Sequence, residues 1–375
     1  MKHPLLGKTL TELKEIAAEN ALPAFAAKQI ADWLYKKKVQ SIDEMTNISA
    51  ANRARLAEKY EVGAHISVEE MVSVDGTKKY LFQVGIAGHT STSLSNQVRN
   101  DNTAKGIAGH TSTSLSNQAR NDGYIESVYI PDEERHTLCV SSQIGCKMNC
   151  QFCMTGKQGF HGNLSAGEII NQIQSIPESD KLTNLVFMGM GEPFDNTLEV
   201  MKALEILTSD YGHAMSPRRI TVSTIGIVPG MTVFLEKSQC HLAISLHSPF
   251  DSERQELMPM NKVYSIEDIL KTIKKYDFSH QRRVSFEYIM FDGLNDTMRH
   301  ARELARILRG IECRVNLIRF HAIPGVDLKE SNPEKMIFFR EYLTDNGIIT
   351  TIRKSRGEDI MAACGMLAGK SNLVS

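Results

Sequence analysis

Three cysteines fall within eight residues, in Cys146-Lys-Met-Asn-Cys150-Gln-Phe-Cys153, a C-x3-C-x2-C spacing. Seven cysteines in 375 residues are too few for a disulfide scaffold, so the cluster points to a metal centre in a reducing compartment. Three thiolates can bind three irons of a [4Fe–4S] cube and leave the fourth iron open to a small molecule. A Cys3His zinc site, completed by His161, is the alternative. Zinc sites usually arise from two separated Cys pairs, and no second C-x2-C occurs here.

Other candidate residues lie in short motifs. In Met188-Gly-Met-Gly191-Glu192-Pro193 the glycines let backbone approach a ligand, while Glu192 can accept from an ammonium group. Ser223 in VSTIG and Ser245-Leu246-His247 in ISLHS place polar tips where a ribose or carboxylate could be held. A serine bonding its own backbone is the plainer reading of both. Cys139 and Cys313, each alone on a strand, read first as small core hydrophobes, and Glu126 as the solvent face of an alternating strand.

These side chains need a frame. From about residue 136 the pattern alternates strand and helix, with strands predicted at 136–142, 184–188, 219–224, 241–246, 284–290 and 314–320. Six βα units in one run predict an α/β fold, a parallel sheet curled into a full or partial (β/α)6 barrel resembling a TIM barrel. Chemistry in such barrels gathers at the C-terminal ends of strands, where the motifs above fall. A further strand at 348–354 and a helix at 358–364 are expected to finish the core, making 132–375 its span.

Residues 1–62 carry apolar positions at helical spacing and read as a small helical domain, with a third helix from Ala50 to Tyr60. Its basic run Lys36-Lys37-Lys38 is either a solvated helix end or a phosphate contact. Residues 63–131 shift to a period of two and predict a small linking β-sheet, with strands at 66–72, 79–84 and 124–130. Within it GIAGHTSTSLSNQVRND (85–101) recurs as GIAGHTSTSLSNQARND (106–122), changed only at Val98/Ala119. Two copies are too few for a solenoid, and so polar a segment reads as a duplicated surface loop.

Charge narrows the class. With 43 Lys+Arg against 44 Asp+Glu, the net charge of −1 argues against nonspecific coating of nucleic acid. An enzyme with its basic residues gathered on one face stays open, with Arg218, Arg219, Arg353, Lys354 and Arg356 as candidate phosphate contacts. No apolar run approaches the roughly 20 residues of a membrane span, and the N-terminus lacks a secretory signal, so a cytoplasmic protein is expected.

The cysteine loop resembles that of the radical S-adenosylmethionine (SAM) superfamily, including the aromatic Phe152 before the last cysteine. IESVYIP (125–131), LCVSSQIGC (138–146), GMGEP (189–193), SPRRITVSTIGI (216–227), SLHSP (245–249), LMP (257–259) and RKSRGEDIMAACGMLAG (353–369) narrow the resemblance to the RlmN/Cfr family of RNA (adenine) methyltransferases. It covers nearly the whole chain. The resemblance implies a [4Fe–4S] cluster on Cys146, Cys150 and Cys153, and SAM held by Gly191, Glu192, Ser223, Ser245, Leu246, His247 and His321. It implies methyl transfer to carbon 2 of adenosine in 23S rRNA, before ribosome assembly is complete, and in tRNA next to the anticodon.

Carbon 2 of adenine is not nucleophilic, and the family's implied route avoids direct attack. One SAM methylates a cysteine, matched by Cys364; a second gives a 5′-deoxyadenosyl radical that takes hydrogen from this S-methyl group. The carbon radical adds to the base, Glu126 matches the residue that takes the C2 proton, and Cys139 matches the cysteine that attacks sulfur, giving a Cys139–Cys364 disulfide and free RNA. Two SAM per turnover, a low-potential electron donor such as flavodoxin or ferredoxin, and action as a monomer are implied. A Cfr-like reaction at carbon 8 is the alternative, against which GEP (191–193) and RGEDI (356–360) weigh; a catalytically silent iron–sulfur RNA-binding protein is another. Two features depart from the family pattern: His321 stands where Asn is frequent, and the repeat insertion at 85–122 is unusual.

Overall fold

The computed structural model describes residues 2–85, 122–278 and 283–368. One ten-stranded sheet organises them. In chain order its strands are β1 (Glu69–Val72), β2 (Lys78–Gly85), β3 (Asp122–Asp132), β4 (Arg135–Cys139), β5 (Asn184–Phe187), β6 (Ile220–Thr224), β7 (His241–Ser245), β8 (Val284–Met290), β9 (Cys313–Arg319) and β10 (Ile349–Ile352). Strands β4 to β10 are parallel neighbours in sequence order, six βα steps and a seventh strand, curving without closing. β5 is buried on every residue and β8 on all but Ser285, as central strands covered by helices on one face and a packed interior on the other must be, whereas the edge strand β10 buries only Thr350.

The linking strands β1–β3 are antiparallel, as their alternation predicts, and they continue the same sheet through the β3–β4 pair instead of forming a separate one. Gly85 pairs with Asp122 at the end of the β2–β3 hairpin, so the strands already meet where the insertion begins and ends. The repeat between these two residues lies outside the described residues. Replacing 86–121 by Asn-Gly, which closes a two-residue hairpin, should leave the thermal midpoint within a few degrees, because loop-length entropy is shallow. Calorimetry checks this; wholesale loss of soluble protein would mean that the segment packs on the core.

The N-terminal unit has α1 (Leu10–Glu19), opened by a Thr9/Glu12 capping box, α2 (Ala26–Ala31) running into a wider turn at Asp32–Lys36, and α3 (Ala50–Lys59). It is pinned to the core by Lys202–Glu12 (2.7 Å) and by Lys38, whose Nζ meets Asp180 at 2.5 Å and Ser179 at 2.7 Å. Lys37 lies 3.5 Å over the Trp33 ring. The lysine run thus includes an inter-unit clamp, which neither sequence reading of it anticipates.

The helix expected at 358–364 does not form. Only a 3-10 turn at Glu358–Ile360 appears, because Gly357, Met361 and Gly365 all take positive φ (65°, 54° and 85°), which stops a right-handed helix on both sides. The chain there is instead an irregular strap carrying Cys364 across the C-terminal end of the sheet. Among the described residues no helix is long and apolar enough to cross a membrane.

Candidate active site

A single cavity opens at the C-terminal ends of the parallel strands, and five of the seven cysteines line it: Cys139, Cys146, Cys150, Cys153 and Cys364. Cys139 ends β4. The next three occupy the loop beyond it, which is fastened at Cys146 N–H to Gly159 O (2.9 Å) and Gln151 N–H to Leu257 O (2.9 Å). Burial pushes the Cys146 thiol up to about 12 and Cys150 well above its ordinary value, so in the free protein both are neutral thiols that give up protons on binding metal.

Three soft donors on one loop, facing a cavity with room beyond them, suit a cube with one open iron. The zinc alternative loses its fourth ligand: His161 is exposed and its Nε2 lies 3.1 Å from the Gln158 carbonyl, away from the cavity. Among the described residues no three His, Cys, Asp or Glu side chains are drawn together as a single-ion site; cube ligands bind separate irons and need no such convergence.

The glycine-rich turn follows β5. Gly191 has φ +93°, and a Cβ on it would stand 2.4 Å from Gln143 Cβ. Its freedom serves close packing of the turn on the loop after β4, a different use from the ligand approach read in the sequence. Glu192 is 3% exposed, and its carboxylate accepts from Thr224 Oγ1 (2.6 Å), Ile225 N–H (3.0 Å) and Phe194 N–H (3.1 Å). Burial drives its acid up to about 7, the hydrogen bonds from Thr224, Ile225 and Phe194 opposing. Gly191, Glu192, Ser223, Ser245 and His247 all line the cavity.

His247 takes φ +56°, and its Nδ1 accepts from Ile289 N–H at 2.9 Å, which leaves Nε2 as the protonated nitrogen. Burial lowers it to about 3, with Arg254 adding repulsion, so it is a neutral donor. Leu246 and His321 are not among the lining residues. Leu246 is fully buried in the main core because it sits between two cavity-facing neighbours, and His321 turns to Ser355 Oγ (3.1 Å) and Glu358 (3.6 Å). Neither side chain is therefore among those the structure brings to the cavity.

Residues 140–305 match the radical SAM superfamily, and residues 3–62 match the ribosomal RNA large subunit methyltransferase N-terminal domain. The chain is 56% identical over 367 residues to a probable dual-specificity RNA methyltransferase RlmN of Bacteroides fragilis, covering 98% of this chain and 96% of that one. It is 39% identical to the dual-specificity RNA methyltransferase RlmN of Nitratiruptor, covering 96% and 97%. A crystal structure of a radical SAM methyltransferase from Sphaerobacter thermophilus matches with TM-score 0.83 and 36% identity, over 98% of this chain and 99% of that one. The chain belongs to the RlmN family. It is a radical SAM RNA methyltransferase, and membership of that superfamily implies a [4Fe–4S] cluster and SAM as cofactors.

In this RlmN-family enzyme Cys139 is buried and Cys364 exposed, both as free thiols. Burial pushes Cys139 up to about 12; the Cys364 sulfur adds to this, while a bond from the Met188 backbone and the Arg353 guanidinium oppose it. Arg353, one of the candidate phosphate contacts, lines the cavity, 3.4 Å from Glu287 and 3.6 Å from Met188 Sδ. Burial opposes its charge and the neighbouring Glu287 carboxylate favours it. Arg218 and Arg219 are exposed just before β6, at the opposite end of the sheet from the cavity, and Arg356 reaches Asp132 at 3.4 Å.

Glu126 is 3% exposed, so the solvent-face reading is excluded. It shares its sheet face with Val128 and Ile130, two residues that line the cavity, and is not itself in the lining. Its carboxylate accepts from Lys79 Nζ (3.0 Å) and from Ala368 N–H (2.7 Å).

The sequence reading missed Arg254, Glu287 and Lys79. Arg254 is 1% exposed and bonds the carbonyls of Ile225, Ser245 and Leu246, tying together the ends of β6 and β7. Nothing in DSERQEL marks it, since an arginine in a polar helix reads as surface. Glu287 did carry a signal: it is a lone acid inside the apolar strand VSFEYIM.

Proposed function

We propose that this RlmN-family enzyme methylates carbon 2 of adenosine in 23S ribosomal RNA and in tRNA, through S-methyl-Cys364. The observation that carries the proposal is the meeting of Cys139 and Cys364 with the cluster loop in one cavity. When bound, the cluster and SAM supply a 5′-deoxyadenosyl radical on the face where Glu192, Ser223, Ser245 and His247 can hold SAM's polar groups.

Cys364 accepts a methyl group on sulfur, and the carbon of that group, once it has lost a hydrogen atom, bonds to C2 of the base. The ring then gives its C2 proton to Glu126, and the one electron it must also lose would go to the cluster, left oxidised when the radical was made. Cys139, as thiolate, attacks the Cys364 sulfur; an S–S bond forms, the S–C bond breaks with its electron pair on carbon, and protonation there completes the methyl group. Arg353 shares the cavity with both sulfurs and favours the thiolate of Cys139. A stacked adenine must leave its stack to reach the cavity. We assign RNA recognition to residues 1–62, the linking strands to 63–131 and chemistry to 132–375.

Anaerobically reconstituted protein should hold about four irons, one without a protein thiolate. Incubated with SAM, a reductant and either RNA, it should give 2-methyladenosine on digestion and mass mapping. Finding the methyl on carbon 8 would transfer the enzyme to the Cfr-like reading, and one bound zinc without iron would end the radical reading altogether.

A further inference from the structure

Antiparallel register puts Lys79 opposite Val128, and Val128 opposite Cys139. Directly paired residues share a sheet face, so Lys79, Val128 and Cys139 form one row pointing to the cavity side, with Glu126 beside them on β3. Lys79 is 11% exposed in its side chain, Glu126 4%, and their charged atoms are 3.0 Å apart. A buried ion pair is costly to desolvate, so its presence is weak evidence of a stabilising role. Here the carboxylate is held at both oxygens: Oε1 by Lys79, Oε2 by the N–H of Ala368 on the strap that carries Cys364. That strap is fixed elsewhere too, by Met154 N–H to Gly365 O (2.8 Å), Thr155 Oγ1 to Leu367 O (2.8 Å) and Gln158 to Ala368 O.

We propose that Lys79 is a positioning residue of the methyl transfer: it orients the Glu126 carboxyl group with Oε2 turned to the Cys364 strap, where a base on Cys364 must give up its C2 proton. The inference rests on Glu126 being that base. Lys79 serves a single step, in which the C2–H bond breaks, its electron pair stays with the ring and the proton goes to the carboxylate. A neutral residue at 79 leaves the buried carboxylate without this cation, and an arginine restores it.

The test compares Lys79→Met, Lys79→Arg and Glu126→Gln in the reconstituted full-length enzyme with SAM, reductant and tRNA. Three products are measured: 5′-deoxyadenosine, methylated RNA and protein-bound RNA. In Lys79→Met the loss of methylated RNA should exceed any loss of 5′-deoxyadenosine by about tenfold or more, with protein-bound RNA accumulating, and Lys79→Arg should recover most of the product. Equal losses of all products in Lys79→Met, or no rescue by arginine, would reduce Lys79 to a packing role. If Lys79→Met does not fold, Lys79→Gln is read by the same criteria. Protein-bound RNA in Glu126→Gln but not in the neutral Lys79 variants overturns the assignment of Lys79 alone; wild-type product from Glu126→Gln overturns the base itself.

Discussion

Cys139→Ala should carry RNA covalently on Cys364. On the proposed route, methylation of Cys364, radical formation and addition to the base all precede the step in which Cys139 acts, so its loss should stall the enzyme as a thioether adduct. The adduct is visible as a mass shift that nuclease removes. Cys364→Ala should form no adduct and no methylated RNA, because no acceptor sulfur remains. Normal turnover by Cys139→Ala would refute the division of labour between the two thiols.

The environment of Cys139 adds a pH dependence to this result. Burial, then the neighbouring Cys364 sulfur, hold its thiol at about 12, so the attacking thiolate is a minor species at neutral pH and grows with rising pH. In the wild-type enzyme, discharge of the adduct should quicken roughly tenfold per pH unit between about 7 and 9 in single-turnover quench experiments. Arg353→Met should slow discharge at every pH in that window, since it removes a cation that favours the Cys139 thiolate. A pH-independent discharge would mean that Cys139 is not the attacking group.

Arg254→Met should be the most damaging substitution away from the reacting groups. The guanidinium bonds Ile225 O (2.5 Å), Ser245 O (2.9 Å), Leu246 O (3.1 Å) and Asn261 Oδ1 (2.5 Å). Burial lowers its pKa to about 10, with Cys150 and Asp251 opposing, and it remains charged at neutral pH. Removing it leaves buried carbonyls without donors, at a cost of about 3–5 kcal/mol. The turns bearing Ser223, Ser245 and His247 then lose their common tie, so denaturant unfolding should show the lost stability and SAM affinity should fall with it. Unchanged stability would show that water replaces the guanidinium without penalty.

The sequence by itself determined the family and the class of enzyme, because the motifs that mark them depend on residue type at fixed spacing. The C-x3-C-x2-C loop, the glycine–glutamate turn and the residues now found at strand ends were readable, since a parallel strand in an α/β fold delivers its last residues to one face. The strand–helix alternation was readable for the same local reason, periodicity. What the tertiary structure decided concerns partners distant in sequence. The Glu358–Cys364 segment carries apolar residues that suit a helix, yet left-handed turns at Gly357 and Met361 make it a strap, held by contacts to Glu126 and the cluster loop more than 200 residues away. Arg353 and Arg218 look alike in sequence; one enters the cavity beside Glu287 and two thiols, the other sits at the far end of the sheet. Lys79 became legible only through strand register, which sets it diagonally across from Glu126. A charged side chain carries no mark of its burial; that depends on whether the fold brings an opposite charge or a set of carbonyls to meet it.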